Sequence, residues 1–169
     1  MTTLTIEERP VLDRLAVLRI PFDRYEHPPI ATAEEGDTHW AGIDAVHCKN
    51  LFLRNQKGTR HYLVILAHTK RADLRVVAEQ IGDGKLSFAS PDRLMKHLGV
   101  TPGSVSPFGL LHDLDGHVRL FLDRRLKLTS RISFHPNINT RTVVLRFADF
   151  ERFLAAHNRQ ARYIDVERA

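Results

Sequence analysis

The chain has 169 residues, of which 43% are hydrophobic and 27% are charged, as expected for one globular domain spanning residues 1–169. Its net charge of +5 permits a polyanionic partner without requiring one. No apolar run approaches the roughly 20 residues of a membrane span, and no secretory signal pattern opens the chain. The single cysteine, Cys48, cannot form an internal disulfide, so we expect a cytoplasmic protein without membrane contact.

The first part of the chain predicts two helices with a short strand between them. A capping-box spacing at residues 5–8 and the proline Pro10 offer two alternative starts for the first helix. Residues 22–27 alternate loosely between polar and apolar side chains, which predicts a strand. Thr32 repeats the capping-box spacing and predicts a second helix that reaches about Trp40.

The middle of the chain predicts a hairpin followed by two helices. Residues 49–54 and 61–67 are joined by turn-forming residues, and the second run is apolar throughout, as in a central, buried strand. Apolar spacing predicts helices over residues 73–81 and 91–98, with a short strand at 86–89 between them.

The last part of the chain predicts mainly strands. Residues 100–111 are rich in Gly, Pro and Ser and show neither a helical nor a strand period. The remainder predicts strands at 117–122, 130–134 and 141–146, a helix at 147–154, and a terminal strand or frayed end at 163–166. Hairpins mixed with helices, without strict β-α-β alternation, predict an α+β (mixed α/β) domain with a mixed central sheet and flanking helices.

Several common catalytic patterns do not occur in the sequence. The histidines are scattered and a single cysteine cannot build a thiolate site, so we expect neither a metal ion nor a cofactor. No phosphate-binding glycine loop occurs, and no Gly-x-Ser-x-Gly elbow supports a general esterase. We interpret Cys48 as a small buried hydrophobic residue, because its neighbour His47 would point to the opposite face of a strand.

Three other segments have compositions suited to binding. Lys49 and Asn50 lie side by side at the start of an apolar strand, where a lysine needs an anionic group to contact. The Gly- and Pro-rich loop at 99–109 either directs backbone N–H groups into a cavity or simply links a helix to a strand. Residues 135–140 contain a histidine and two asparagines, which form either a polar pocket wall or turns.

Together these segments resemble the YbaK-type aminoacyl-tRNA deacylase family, whose editing domain is also inserted in bacterial prolyl-tRNA synthetases. The resemblance rests on residues 47–53, 103–109 and 135–140 in that order, and it is most similar to the free-standing ProX branch. That branch is associated with hydrolysing alanine mischarged onto tRNA for proline. The resemblance therefore implies a YbaK-like editing domain that acts in trans on Ala-tRNA(Pro), with tRNA as its partner and prolyl-tRNA synthetase as an open second partner.

The resemblance also implies roles for individual residues. Lys49 would anchor the terminal phosphate or ribose, and the loop backbone would hold the ester carbonyl or the developing oxyanion. Asn50 and His135 would hydrogen-bond the ribose, the attacking water or the amino group. The implied catalytic residues are Lys49, Asn50, Gly103, Ser104, Val105, Ser106, Pro107 and His135. The implied substrate-binding residues are Lys49, Phe108, Asn137, Asn139 and Thr140.

Two alternatives stay open at this point. In the first, the pocket differs in size from one that fits alanine, and the enzyme hydrolyses cysteine or another small amino acid from the same tRNA. Alternatively, the chain would be a non-catalytic regulator that binds tRNA or a synthetase without turnover. Which of the scattered basic side chains contact tRNA also stays open.

Overall fold

The computed structural model describes residues 3–30 and 32–168, apart from the side chain of Ala33. The α-helices are α1 (Arg9–Val17), α2 (Ala33–Trp40), α3 (Leu74–Ile81), α4 (Pro91–Leu98) and α5 (Phe147–Ala156). The strands are β1 (Asp23–Glu26), β2 (Val46–Asn55), β3 (His61–Ala67), β4 (Leu86–Phe88), β5 (Val118–Asp123), β6 (Arg131–Phe134), β7 (Arg141–Arg146) and β8 (Arg162–Ile164). Among the described residues, no helix is long and apolar enough to cross a membrane.

The strands form one mixed sheet in the order β1-β7-β6-β2-β3-β5-β8, and β4 pairs with β2 outside this order. The predicted hairpin is present, because β2 and β3 pair in antiparallel fashion along seven residues. Parallel pairs join β2 to β6, β3 to β5 and β5 to β8. The predicted mixed α/β fold, with helices flanking a mixed sheet, is confirmed.

The buried strand β3 separates two hydrophobic clusters. Successive side chains of a strand point to opposite faces. Leu63 and Ile65 accordingly join the larger cluster, which includes residues of α1, α4 and α5, whereas Tyr62, Val64 and Leu66 join a smaller one under α3. All five side chains are buried, and full burial of one aliphatic side chain contributes about 1.5–3 kcal/mol. This strand therefore fixes the positions of the elements on either side of it.

The helix starts follow the predicted capping chemistry. The Thr32 hydroxyl accepts the Glu35 N–H at 3.2 Å at the start of α2. Residues 5–8 form the reciprocal capping-box hydrogen bonds, at 2.9 and 3.2 Å, yet α1 begins only at Arg9, with Pro10 in its first turn. The capping box therefore forms in the turn before α1, and Pro10 lies at the start of the helix itself.

The start of β2 and two short 3-10 helices are the clearest differences from the sequence prediction. Strand β2 begins at Val46, three residues early, because Val46 and His47 pair with β6 as well as leading into the hairpin. Residues 107–112 form a short 3-10 helix, whose start is capped by Ser106 accepting the Phe108 N–H at 3.1 Å. A second short 3-10 helix covers residues 124–128. The terminal segment forms strand β8, which pairs with β5.

Candidate active site

A cavity of about 280 Å³ lies where β2 meets the loop that follows α4 and the segment that follows β6. Its walls are formed by Ile30, Thr32, Trp40, Cys48, Lys49, Asn50, His68, Gly103, Val105 and His135. A wider groove of about 660 Å³ lies along β5 and the segment after α5, but none of the predicted site residues lines it. The smaller cavity is therefore the candidate active site.

Lys49 brings a half-buried positive charge to the cavity wall. Within residues 3–30 and 32–168, no carboxylate forms a salt bridge with its ammonium group. Burial lowers the pKa of Lys49, and the nearby charge of Arg71 lowers this pKa further. A partly desolvated cation without a carboxylate is stabilised by an anionic ligand, so Lys49 is suited to contact a phosphate.

Asn50 contributes an unsatisfied acceptor beside that cation. Its Oδ1 atom is buried and has no hydrogen-bond partner among the described residues. A buried acceptor without a partner costs about 1–3 kcal/mol, a penalty that a donor on a ligand removes. Asn50 is therefore suited to accept a hydrogen bond from a hydroxyl or an ammonium group.

His135 faces the cavity as a neutral imidazole. Its Nδ1 donates to the carbonyl oxygen of Arg141 at 2.8 Å, which leaves Nε2 as an acceptor. Burial lowers the pKa of His135, the hydrogen bond to Arg141 opposes this, and the neighbouring His27 lowers the pKa again. The ring is therefore suited to accept a proton or a hydrogen bond at neutral pH.

The loop at 103–107 approaches the segment at 135–140 closely. Gly103 has φ +88°, and a Cβ atom there would lie 3.4 Å from Nδ2 of Asn139. In the described part of the chain, the N–H groups of Gly103 and Val105 donate to no protein acceptor. Two free amides in a cavity wall are the type of donor that stabilises a developing oxyanion.

Trp40 forms part of the cavity wall, and the ring of His47 stacks on it. Their rings stack with centroids 4.5 Å apart and an interplanar angle of 8°. The Trp40 indole Nε1 donates to the Thr142 hydroxyl at 3.0 Å, and His27 Nε2 lies 2.7 Å from the same oxygen. These contacts hold Trp40 in place in the cavity wall.

The structure brings together five of the predicted residues. Lys49, Asn50, Gly103, Val105 and His135 line the same cavity although they come from three distant segments. The remaining predicted residues do not line it: Ser104, Ser106, Pro107, Phe108, Asn137, Asn139 and Thr140. The catalytic or substrate-binding roles of all twelve stay predictions.

The residues outside the wall support it from behind. Phe108 is completely buried and packs edge-to-face against Phe134 and Phe153, with centroid distances of 5.9 and 5.2 Å. The carbonyl groups of Asn139 and Thr140 accept the N–H groups of Ile30 and His27, respectively, at 3.2 and 3.1 Å. The 135–140 segment therefore holds the chain that forms the edge of the cavity.

Asn137 has an unusual environment within that segment. It is 5% exposed, adopts φ +62°, and its Oδ1 atom has no partner among the described residues. Asparagine tolerates this left-handed conformation better than most residues do. Asn137 does not line the cavity, so its unsatisfied Oδ1 atom belongs to the segment next to the wall.

Besides Cys48, four lining residues had no predicted role in a site: Ile30, Thr32, Trp40 and His68. Trp40 is the chain's single tryptophan, but its position at a helix end gave no indication of a cavity. His68 is held by Asp37 at 2.7 Å, a contact between residues far apart in the sequence. Such long-range contacts have no local sequence signal.

Cys48 also lines the cavity, which the sequence interpretation did not include. It is half-buried, packs against the larger core cluster, and burial raises the pKa of its thiol well above the usual range, with Asp123 adding to this. A neutral thiol is a poor nucleophile. The chemistry of the cavity therefore depends on the other polar groups.

His47 predicts an acid-sensitive stability. Its Nδ1 lies 2.5 Å from Ser133 Oγ, and its buried Nε2 has no partner in the described chain. Burial lowers the pKa of His47 to about 4, with the neighbouring His68 lowering it further, while the Ile43 backbone and Asp37 raise it. The unfolded state, with a histidine pKa near 6.5, therefore binds more protons between these values.

The contribution of His47 to the free energy of unfolding is therefore expected to be complete above pH 6.5 and to decrease as the pH falls toward 4. The His47 contribution is on the order of 3 kcal/mol. Urea denaturation at several pH values should show a shallower decrease in His47→Gln than in the wild type, with the exposed His39→Gln as control. An equally steep decrease in His47→Gln would contradict this assignment.

Comparison with known proteins identifies the family. The sequence profile of the aminoacyl-tRNA editing domain matches residues 27–153, which contain every residue of the cavity wall. The chain belongs to this family. The prolyl-tRNA editing protein ProX of Acetoanaerobium sticklandii is 40% identical over 157 residues, covering 92% of this chain and 95% of that protein.

More distant members of the editing-domain family match as well. The multifunctional Ser/Thr-tRNA deacylase ProXp-y of Escherichia coli K12 is 31% identical over 114 residues, covering 66% of this chain and 63% of that protein. A crystal structure of a proposed trans-editing enzyme for prolyl tRNA synthetase superposes with a TM-score of 0.72 at 20% identity, covering 96% of this chain and 99% of the other. This likeness confirms the editing-domain fold.

Proposed function

We propose that this chain is a trans-editing deacylase that hydrolyses the ester of alanine mischarged onto tRNA for proline. Membership of the editing-domain family makes it a hydrolase acting on aminoacyl-tRNA. The observation that carries the proposal is the cavity of about 280 Å³ that places Lys49, Asn50, His135 and two free backbone amides around one small space.

Lys49 supports anchoring of the tRNA end. The terminal nucleotide of an aminoacyl-tRNA brings a phosphate next to the ester, and Lys49 offers a half-buried cation that no carboxylate of the described chain neutralises. Arg71 is exposed and close enough to affect the pKa of Lys49, so a second positive charge lies along the same approach. Binding through phosphates predicts an affinity for tRNA that decreases steeply with salt concentration.

The amides of Gly103 and Val105 support activation of the ester carbonyl. In the proposed reaction, a water oxygen bonds to the carbonyl carbon while the carbonyl electrons move onto oxygen, where these N–H groups stabilise the charge. Collapse of this intermediate breaks the bond to the ribose oxygen, which leaves with a proton. The products are free alanine and uncharged tRNA.

His135 and Asn50 support positioning of the reacting groups. The neutral Nε2 of His135 accepts a hydrogen bond from the attacking water or from the adjacent ribose hydroxyl, which assists by proton transfer. The unsatisfied Oδ1 of Asn50 accepts a hydrogen bond from the α-ammonium group or the ribose. No side chain acts as a nucleophile in this scheme.

The cavity supports discrimination by size. In this proposal, Trp40 and Gly103 in the cavity wall set its width, so that a methyl side chain would enter and a pyrrolidine ring would be excluded. A synthetase site that binds proline can discriminate against the smaller alanine by only about 1–3 kcal/mol. A separate editing site that accepts only small amino acids therefore improves accuracy. Cysteine and serine are the nearest competitors in size.

A panel of aminoacylated tRNAs tests this proposal. We expect fast hydrolysis of Ala-tRNA(Pro), slower hydrolysis of Cys-tRNA(Pro) and Ser-tRNA(Pro), and none of Pro-tRNA(Pro), measured as the loss of acid-precipitable labelled amino acid. Faster release of cysteine or serine would overturn the assignment of alanine while leaving the reaction class intact. Binding of tRNA without any hydrolysis would instead indicate the non-catalytic regulator. Repeating the assay with prolyl-tRNA synthetase present tests the second partner.

A further inference from the structure

Three histidines meet at the end of β3 that is remote from the cavity. His61 is the first residue of β3, His97 lies in the last turn of α4, and His117 directly precedes β5. The parallel pairing of β3 with β5 places His61 opposite Val118, and α4 packs over this end. One ligand atom from each ring lies within 4.8 Å of the other two.

This cluster is separate from the candidate active site. The cavity is lined by His68, one residue beyond the other end of β3. At about 3.3 Å per residue, the seven steps from His61 to His68 span roughly 23 Å. None of the three histidines lines the cavity, so the cluster takes no part in the proposed deacylation.

The three rings already face one another. Nδ1 of His61 lies 2.8 Å from Nε2 of His117. The His97 ring centroid is 4.4 Å from that of His61 and 4.6 Å from that of His117. His61 is buried, His97 is half-buried and His117 is exposed, so the group is anchored at its base and open to solvent at one side.

We propose that His61, His97 and His117 form a binding site for a divalent transition-metal ion, with Zn²⁺ as the best match. Three neutral imidazoles are a ligand set that zinc uses with an open fourth position for water. Zinc–nitrogen bonds of about 2.0–2.1 Å in a tetrahedral site put the ligand nitrogens roughly 3.4 Å apart. The present separations, 2.8 Å between His61 Nδ1 and His117 Nε2 and at most 4.8 Å for the other pairs, therefore need shifts of up to about 1.4 Å, and exposed His117 has room to move.

Arg93 opposes metal binding, because its positive charge lies next to His61. Its Nη1 atom lies 3.1 Å from His61 Nε2 and donates to the Gly58 carbonyl at 2.9 Å. A metal ion bound to Nδ1 of His61 leaves a proton on Nε2, which then no longer accepts from Arg93. The guanidinium keeps Gly58 as its acceptor, so binding costs its hydrogen bond to His61 Nε2 and the one between His61 Nδ1 and His117 Nε2, and it places two positive charges close together.

Such a site would join three elements that are distant in sequence. The ion would link the start of β3, the end of α4 and the start of β5, which stabilises the folded chain because the unfolded chain holds no preformed site. At a hundredfold excess of Zn²⁺ over the dissociation constant, we expect the melting temperature to rise by about 5–10 °C. Addition of EDTA should reverse this increase.

Cobalt provides the direct test. The full chain, freed of metal with EDTA and dialysed, should bind one equivalent of Co²⁺ with the intense visible absorption of a four-coordinate ion, and Zn²⁺ should displace it. His97→Ala and His117→Ala should each weaken binding by at least roughly a hundredfold. Both residues are at least partly exposed, so these variants should remain folded, which circular dichroism checks.

Two further variants distinguish a built site from general attachment of metal to histidine. The exposed His39→Gln should bind Co²⁺ as the wild type does, and Arg93→Gln should bind it more tightly, because a competing charge is removed. Absence of stoichiometric Co²⁺ absorption would overturn the proposal. Equal binding by the double variant His97→Ala/His117→Ala would overturn it as well.

Discussion

Lys49→Ala is expected to lower the deacylation of Ala-tRNA(Pro) by about 10²–10³-fold while leaving the fold intact. The wild-type lysine is half-buried in the cavity wall and carries a charge that no carboxylate of the described chain balances. Its removal takes away the group that holds the tRNA phosphate and thereby fixes the ester against the Gly103 and Val105 amides. Because anchoring acts on both binding and orientation, KM should rise and kcat should fall.

Single-turnover kinetics with labelled Ala-tRNA(Pro) measure this effect. Lys85→Ala provides a matched control, because Lys85 is exposed and does not line the cavity, and it should retain wild-type kinetics. Lys49→Arg keeps the charge in a larger, planar group and should recover part of the activity. Full activity of Lys49→Ala would exclude the anchoring role.

Gly103→Leu is expected to reduce deacylation below detection. The first added carbon would lie in contact with Nδ2 of Asn139, at 3.4 Å, and we expect the rest of the side chain to occupy the cavity that Gly103 lines. The backbone also has φ +88°, which costs a non-glycine residue about 1–2 kcal/mol. Loss of activity alone would therefore not separate a filled cavity from a destabilised fold.

Gly82→Leu separates the two effects. Gly82 has φ +81° at the end of α3, and a Cβ atom there would contact nothing within 4 Å. The two variants should lose similar free energy of unfolding, measured by urea denaturation, but only Gly103→Leu should lose deacylation. Wild-type turnover by Gly103→Leu would mean that the loop is only a linker between α4 and the strand that follows.

The elements could be predicted from the sequence wherever the signal is local. The hairpin of β2 and β3 follows from two apolar runs around a turn, and the start of α2 follows from Thr32. Strand β8 could not be distinguished from a frayed end, because its pairing with β5 joins residues about 40 positions apart. Long-range pairing likewise extended β2 back to Val46.

Site residues, too, could be predicted only where the sequence carries a local signal. Lys49 and Asn50 stood out because polar residues began an apolar strand, and the structure places both in the cavity wall. The family resemblance implied a substrate-binding role for Phe108, yet its side chain is buried in the core. The histidines are scattered along the sequence, so no metal site was predicted from them. Three of them come together only through the pairing of β3 with β5 and the position of α4.

Trp40 gives this protein a built-in optical reporter. It is the chain's single tryptophan, it lines the candidate active site, and its ring stacks on His47. Tryptophan fluorescence excited at long wavelength therefore comes from the cavity wall alone. Titration of the unlabelled protein with uncharged tRNA or with a non-hydrolysable alanyl-adenosine mimic can be followed by this emission, and the same signal reports protonation of His47 at low pH.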